Sequence, residues 1–312
     1  MSRLVQIPPE AYSPTAFAEF NPAAGFSIPN ARAMMWLSQL AYEAYQGGPS
    51  ATIEAVGKTM WKFTSVVPFA KHQISIKASY DTCGVIGDRP NAVVLAFAGT
   101  DPAVWETVIT DVTLRRGEDT HAGFQAAADA VKAEVAQAIA LSQAGAKPLF
   151  ITGHSMGAAV AALTALAAVR QGANPAAVYG FGMPRTGNAN FHTNYTKALG
   201  ERTFRFVHGL DIVARIPPSI VPGISDFHHV GHVFQCESGR KFIDARPLSD
   251  LESDAPALEP ELINTVTAGL GALVAGQFFS PPGPGAFGPL FRFLPQPIRD
   301  HLQDRYWVAL TP

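Results

Sequence analysis

Residues 148–172 read PLFITGHSMGAAVAALTALAAVRQG. Leu149 to Thr152 is a short continuous apolar run, the mark of a strand buried on both faces, and it leads directly into an alanine-rich stretch from Met156 to Gln171 that reads as a helix. Between them stands Gly153-His154-Ser155-Met156-Gly157. A Gly-x-Ser-x-Gly pattern arises by chance about 0.1 times in a chain of this composition, so the five residues alone carry little. Their setting carries more. Strand, tight turn, helix is the geometry that lifts a serine hydroxyl above a sheet edge at the positive end of a helix, while the two glycines let strand and helix approach closely. The competing reading is an ordinary strand-to-helix turn with a solvated serine.

Outward from this stretch, 21 of the 56 residues from Ala122 to Ala177 are alanine, the best helix former. Phe124, Val131, Val135 and Ile139 give the helix before the strand one apolar stripe. Gly145 ends that helix and Gly172 ends the one after the strand. Ala92 to Ala98 is a second buried-strand run ending at Gly99, and Ala177 to Phe181 and Thr203 to Val207 read as further strands. Strands alternating with helices at this spacing predict an α/β fold, a mostly parallel central sheet with helices on both faces. The spacing also predicts an amphipathic helix over Asn30 to Tyr45 opened by Asn30 as its cap. A half-exposed strand through Ile74, Ile76, Ala78 and Tyr80 and a hairpin over His228 to Asp244, turning at Glu237-Ser238-Gly239, complete the reading. Residues 245–299, rich in Pro, Gly and Phe, read as a long irregular insertion or cap within a single domain spanning 1–312.

With 23 Lys and Arg against 25 Asp and Glu, the net charge of −2 offers no basic surplus for nucleic acid. Charged residues make up 15% and apolar ones 47%, which excludes disorder. The most apolar stretch, Leu262 to Phe279, is broken by Asn264, Gln277 and glycines and falls short of the roughly 20 clean residues of a membrane span. The opening MSRLVQIPPEAYSPTAF shows no apolar run before a small-residue cleavage site. The chain as given therefore reads as cytoplasmic, or as secreted with a leader removed. Cys83 and Cys236 read as two structural thiols rather than a bridge.

A serine hydroxyl is a poor nucleophile until a histidine takes its proton and an acid orients that histidine. In a fold of this kind the order is Ser, Asp, His. Asp211 follows the strand Thr203 to Val207 after a short loop, at the strand's carboxyl end where α/β sites assemble, and leads Asp226, Asp244, Asp250, Asp254, Asp300 and Asp304 as the acid. The histidines after it are His228, His229, His232 and His301. Their spacing fits no zinc signature, and His301 is favoured over His229 as the base. An oxyanion hole takes the N–H of the residue after the nucleophile, Met156, and a second from a loop after an earlier strand. Phe97-Ala98-Gly99-Thr100-Asp101 is such a loop, with Thr100 as donor and its hydroxyl as an extra one.

Five motifs in order resemble the class 3 triacylglycerol lipases, the filamentous-fungal type of α/β-hydrolase: AFAGTD at 96–101, HAGF at 121–124, GHSMGAA at 153–159, FGMPRTGN at 181–188 and DIVARIPP at 211–218. The resemblance implies Ser155 as nucleophile, Asp211 as acid and His301 as base, since the family's base lies in a DH segment near the C-terminus followed by an aromatic pair, here Tyr306-Trp307. It implies that His229-Val230-Gly231 belongs to a structural hairpin, and that 103–114 is a lid with Val104, Trp105, Val108 and Ile109 on its apolar side. The Asp211-to-His301 gap and the spacing to the aromatic pair are both longer than the family pattern. The expectation is an ester hydrolase of the lipase type acting on acylglycerols at an oil–water interface, with no cofactor, no metal and no nucleic acid. The alternatives are a carboxylesterase acting on soluble or aromatic esters and an inactive scaffold that binds lipid or a partner.

Overall fold

The computed structural model describes residues 6–45, 50–74, 79–100, 119–217, 226–242, 247–248 and 295–312. The candidate lid at 103–114 and most of the 245–299 insertion lie outside these. Eight strands form one sheet in sequence order: β1 (Ser65–Ile74), β2 (Ser79–Arg89), β3 (Ala92–Phe97), β4 (Leu149–His154), β5 (Ala177–Phe181), β6 (Thr203–His208), β7 (His232–Cys236) and β8 (Pro247–Leu248). The first three pair antiparallel, β3 through β7 run parallel, and β8 returns antiparallel on β7. Every residue of β3, β4, β5 and β6 is buried, as their continuous apolar runs require of strands covered on both faces.

A parallel order that never reverses sends every right-handed crossover to the same face. The crossover helices α2 (Ala122–Ala130), α3 (Lys132–Ala144), α4 (Met156–Arg170) and α5 (Ala189–Leu199) accordingly form one layer, with α4 packed against α2, α3, α5 and strands β3 to β5. The opposite face is closed by the two ends of the chain, α1 (Ile28–Ala41) and α6 (Gln303–Leu310). Trp36 and Trp307 stack between them with centroids 4.5 Å apart, and Arg32 Nε donates to the Leu310 carbonyl at 3.0 Å. Strand β4 shows both contacts by alternation. Phe150 meets the Phe20 ring at 5.3 Å and Thr152 lies 3.1 Å from the Ser38 hydroxyl of α1. On its other face a Cβ at Gly153 would strike the Gly157 carbonyl of α4.

Four sequence expectations are corrected. Helix α1 starts at Ile28, capped by Ser27, whose hydroxyl accepts from Asn30 N at 3.0 Å. Pro29 has no N–H to satisfy and suits the first turn, while the Asn30 side chain is held by Asn21 and the Ala24 carbonyl. This helix is buried from Asn30 to Ala41 and not amphipathic, because the sheet lies beneath it and α6 beside it. Ile74 and Tyr80 belong to two strands of a hairpin, not one; Pro68 is tolerated because β1 is an edge strand. The helix before β4 is two helices meeting at Val131, whose N–H bonds to Ala128 O instead of continuing the i−4 ladder. The turn at Glu237 stands, closed by Arg240 N to Glu237 O at 2.9 Å. The strand before it begins only at His232 and pairs parallel with β6, and its antiparallel partner is Pro247–Leu248.

Both cysteines are free and buried. Cys83 lies on β2 and Cys236 on β7, five strand spacings of about 4.8 Å, or about 24 Å, whereas a bridge needs Cα atoms within about 7 Å. Among the described residues no helix is long and apolar enough to cross a membrane.

Candidate active site

Parallel strands end on the same sheet edge, so the loops after β3, β4, β5 and β6 gather there. Ser155 follows β4 directly and holds φ 59° and ψ −133°, a conformation that costs a non-glycine residue about 1–3 kcal/mol. The surroundings fix it there. Ser155 N–H donates to Phe181 O at 2.8 Å. A Cβ at Gly157 would strike the Ala98 carbonyl, so this turn requires glycine by contact.

The Ser155 hydroxyl does not cap its helix; Oγ donates instead to His301 Nε2 at 2.8 Å. His301 Nδ1–H donates to both Asp211 oxygens, at 2.9 and 2.8 Å. Ser155 is 4% exposed, Asp211 and His301 fully buried. Asp211 Oδ1 also accepts from Val213 N at 2.8 Å, and Oδ2 from the Tyr306 hydroxyl at 2.5 Å. Burial alone pushes this carboxyl up; the charge and hydrogen bond of His301 and the Tyr306 bond outweigh it and hold Asp211 below its ordinary value. Burial, then the Asp211 charge, raises the Tyr306 hydroxyl well above the usual phenol, so it remains a donor.

His154, the variable residue of the Gly-x-Ser motif, is fully buried. Its ring stacks on His301 with centroids 4.7 Å apart. Nε2 lies 2.9 Å from the His301 carbonyl and Nδ1 2.8 Å from the Tyr42 hydroxyl. A carbonyl only accepts, so Nε2 carries the proton and Nδ1 accepts from Tyr42. Burial, then the neighbouring His301, drives the His154 pKa down to about 3, so no cation competes with an imidazolium on His301.

Thr100 and Met156 flank Ser155, both buried; the Thr100 hydroxyl lies 3.5 Å from Met156 Sδ. His229, the weaker candidate for the base, sits instead beside Arg205 and Arg185, where burial and then their charges hold its pKa well below the ordinary value. His228 bonds Asp226 at 2.7 Å and His232 lies 3.4 Å from Glu201. Among the described residues no group of three or more His, Cys, Asp and Glu side chains is arranged to hold a metal.

Three functional positions escape the sequence reading. His154 had its signal inside the quoted motif. Gly182, at φ +57°, stands in the quoted FGMPRTGN motif, which gives it no role of its own: a Cβ there would lie 2.6 Å from Asp211 Oδ2 and 2.8 Å from the His301 ring. Asp300, set aside as an acid candidate, ties the base-bearing segment to the acid loop, accepting from Leu210 N at 2.9 Å and from the Ser238 hydroxyl at 2.5 Å.

A family model described as Lipase (class 3) matches residues 97–221. That range, 125 of the 312 residues, resembles the class 3 lipases. The matched range holds Thr100, Ser155, Met156 and Asp211; His301 lies beyond it. Among curated relatives, the secreted mono- and diacylglycerol lipase 1 of Fusarium solani is 39% identical over 33% of this chain and 31% of its own. The secreted mono- and diacylglycerol lipase A of Penicillium cyclopium is 32% identical over 54% of this chain and 55% of its own. The chain thus spans about a third to a half of the length of these relatives. The triacylglyceride lipase structure of Rhizomucor miehei superposes with a TM-score of 0.54 at 20% identity, covering 70% of this chain and 86% of that one, and shares its α/β-hydrolase fold.

Proposed function

We propose that this chain is a serine esterase of the lipase type that hydrolyses acylglycerol esters through an acyl-enzyme on Ser155. The observation that carries the reading is the continuous relay from buried Asp211 through His301 to the Ser155 hydroxyl, each link under 3 Å. Ser155 Oγ attacks the ester carbonyl carbon as His301 Nε2 takes its proton, and Asp211 balances the imidazolium. The tetrahedral oxyanion is held by the backbone N–H groups of Met156 and Thr100. The intermediate collapses, the alcohol leaves with the proton from His301, and Ser155 retains the acyl group. Water, deprotonated by His301, then attacks the acyl carbon and releases the acid, restoring Ser155. Every step uses groups of the chain, substrate and water.

The names of the two fungal relatives support an acylglycerol substrate and a secreted setting. The test is a series of esters of rising acyl length, offered below and above their solubility limits, to the parent and to Ser155→Ala. We expect hydrolysis of long-chain glycerides that rises above the solubility limit and disappears in the variant. Turnover of soluble short esters alone would replace the lipase reading with a plain carboxylesterase, and no turnover would overturn both.

A further inference from the structure

The Tyr45 hydroxyl donates to the backbone carbonyl of Gly99 at 2.5 Å. Tyr45 follows the short helical turn Tyr42–Ala44 that extends α1, on the chain-end face of the sheet, whereas Gly99 lies in the loop that leaves β3 after Phe97. The bond spans 54 residues of sequence. It grips one edge of a single peptide unit, the one joining Gly99 to Thr100.

In a trans peptide the carbonyl oxygen and the following N–H point in opposite directions within one plane. The described cis bond is Ile216-Pro217, so the Gly99–Thr100 unit is trans. Holding the Gly99 oxygen toward Tyr45 turns the Thr100 N–H to the other edge. The unit also begins beside the nucleophile: a Cβ at Gly99 would lie 2.6 Å from Ser155 Cβ and 2.8 Å from the His154 carbonyl, and would strike the Tyr42 hydroxyl. That packing demands glycine, yet glycine is the residue whose adjoining peptide rotates most freely. A donor useful to an oxyanion must be aimed before the charge develops. The site therefore needs an outside restraint on this peptide, and the Tyr45 hydroxyl is positioned to supply it.

We infer that Tyr45 is a positioning residue that fixes the plane of the Gly99–Thr100 peptide and so aims the Thr100 N–H at the ester oxygen in the transition state. The inference rests on the ester-hydrolase reading and adds a residue outside the relay and the oxyanion loop.

Tyr45→Phe removes one oxygen and keeps the ring. The measurements are kcat and KM for a soluble short-chain ester, per active site titrated with a phosphonate, and the inhibition constant of an alkyl boronic acid, whose tetrahedral adduct on serine imitates the transition state. Losing one oxyanion donor outright costs about 10²–10³ in kcat, and a donor left in place but unaligned costs less, about 10- to 100-fold. We expect kcat to fall by that factor, KM to stay within about 2-fold, and boronate affinity to weaken in parallel with kcat. Titration counts only folded sites, so partial misfolding does not mask the result. Parental kcat in Tyr45→Phe, or a lower kcat with parental boronate affinity, would overturn the role of Tyr45 while leaving the esterase reading intact. A parent chain that neither turns over ester nor binds boronate would overturn the esterase reading, and this inference with it.

Discussion

The Nε2–H of His154 donates to the backbone carbonyl of His301 at 2.9 Å, so the residue before Ser155 holds the segment that carries the proposed base. His154→Phe keeps a flat ring in the stack but removes this bond and the one from Tyr42. A buried polar group that loses its partner costs about 1–3 kcal/mol. We expect the unfolding free energy in urea to drop by about 2–4 kcal/mol and kcat by about 10-fold or more, with KM moving less. Parental stability and kcat would contradict the bridging role.

Gly182→Ala places a methyl against the Asp211 carboxylate and the His301 ring. Misplacing catalytic groups by about 1 Å costs on the order of 100-fold in rate, and we expect a kcat loss of that order. Gly172→Ala is the matched control, since Gly172 also has positive φ, +80°, but nothing lies within 4 Å of its added Cβ. It should lose about 1 kcal/mol of stability and no activity. Equal kinetics in the two variants would show that contact with the acid and base does not matter.

Asp300 gives a stability signal with a defined sign. Burial pushes its carboxyl up, but the bonds from His208, Ser238 and Leu210 N outweigh it and hold the pKa below the ordinary value. A depressed folded pKa contributes stability that is present above the unfolded value of about 3.9 and lost as pH falls through the folded one. Asp300→Asn should therefore be less stable than the parent at neutral pH, with the gap closing below about pH 4. Urea midpoints at pH 7, 5 and 3.5 check this, and a gap independent of pH would refute it.

Glu43 carries the opposite sign. Its Oε1 accepts from Ile7 N at 2.8 Å and from the Tyr12 hydroxyl at 2.9 Å, pinning the N-terminal segment to the end of α1. Burial, only partly offset by these two bonds, raises its pKa to about 7. The folded chain then keeps a proton that the unfolded chain releases near pH 4.3, so this contribution is full below that value and is lost as pH rises through about 7. Glu43→Gln mimics the protonated form. We expect the variant to gain about 2–3 kcal/mol on the parent between pH 4.5 and 8, read from urea unfolding, whereas parallel curves would contradict the raised pKa.

The reading of residues 148–172 worked because strand, turn and helix there are each dictated locally: β-run, paired glycines, then alanines. The parallel strands were legible for the same reason, as continuous apolar runs need cover on both faces. The start of α1 was misplaced because Ser27 and Asn30 are both capable caps three residues apart, and only the distant partners of Asn30 decide between them. Strand β1 was hidden by Pro68, which local rules count against a strand and an edge position tolerates. At the site, Ser155 and Asp211 announce themselves by their place after a strand. His154, Tyr42, Tyr45 and Asp300 act through partners 54 to 147 residues away, and Gly182 through the space it leaves empty. Nothing in a local stretch of sequence encodes such distances.

In the proposed mechanism Asp211 and His301 make Ser155 a nucleophile. The most direct measurement is labelling of the folded parent, Ser155→Ala, His301→Ala and Asp211→Ala by a serine-directed phosphonate, with the modified peptide identified by mass. The expected result is a single label on Ser155 in the parent, none in Ser155→Ala, and labelling slowed by at least about 10³-fold in His301→Ala. Asp211→Ala should fall between the parent and His301→Ala. Labelling of another residue, or a His301→Ala variant that reacts as fast as the parent, would contradict the account.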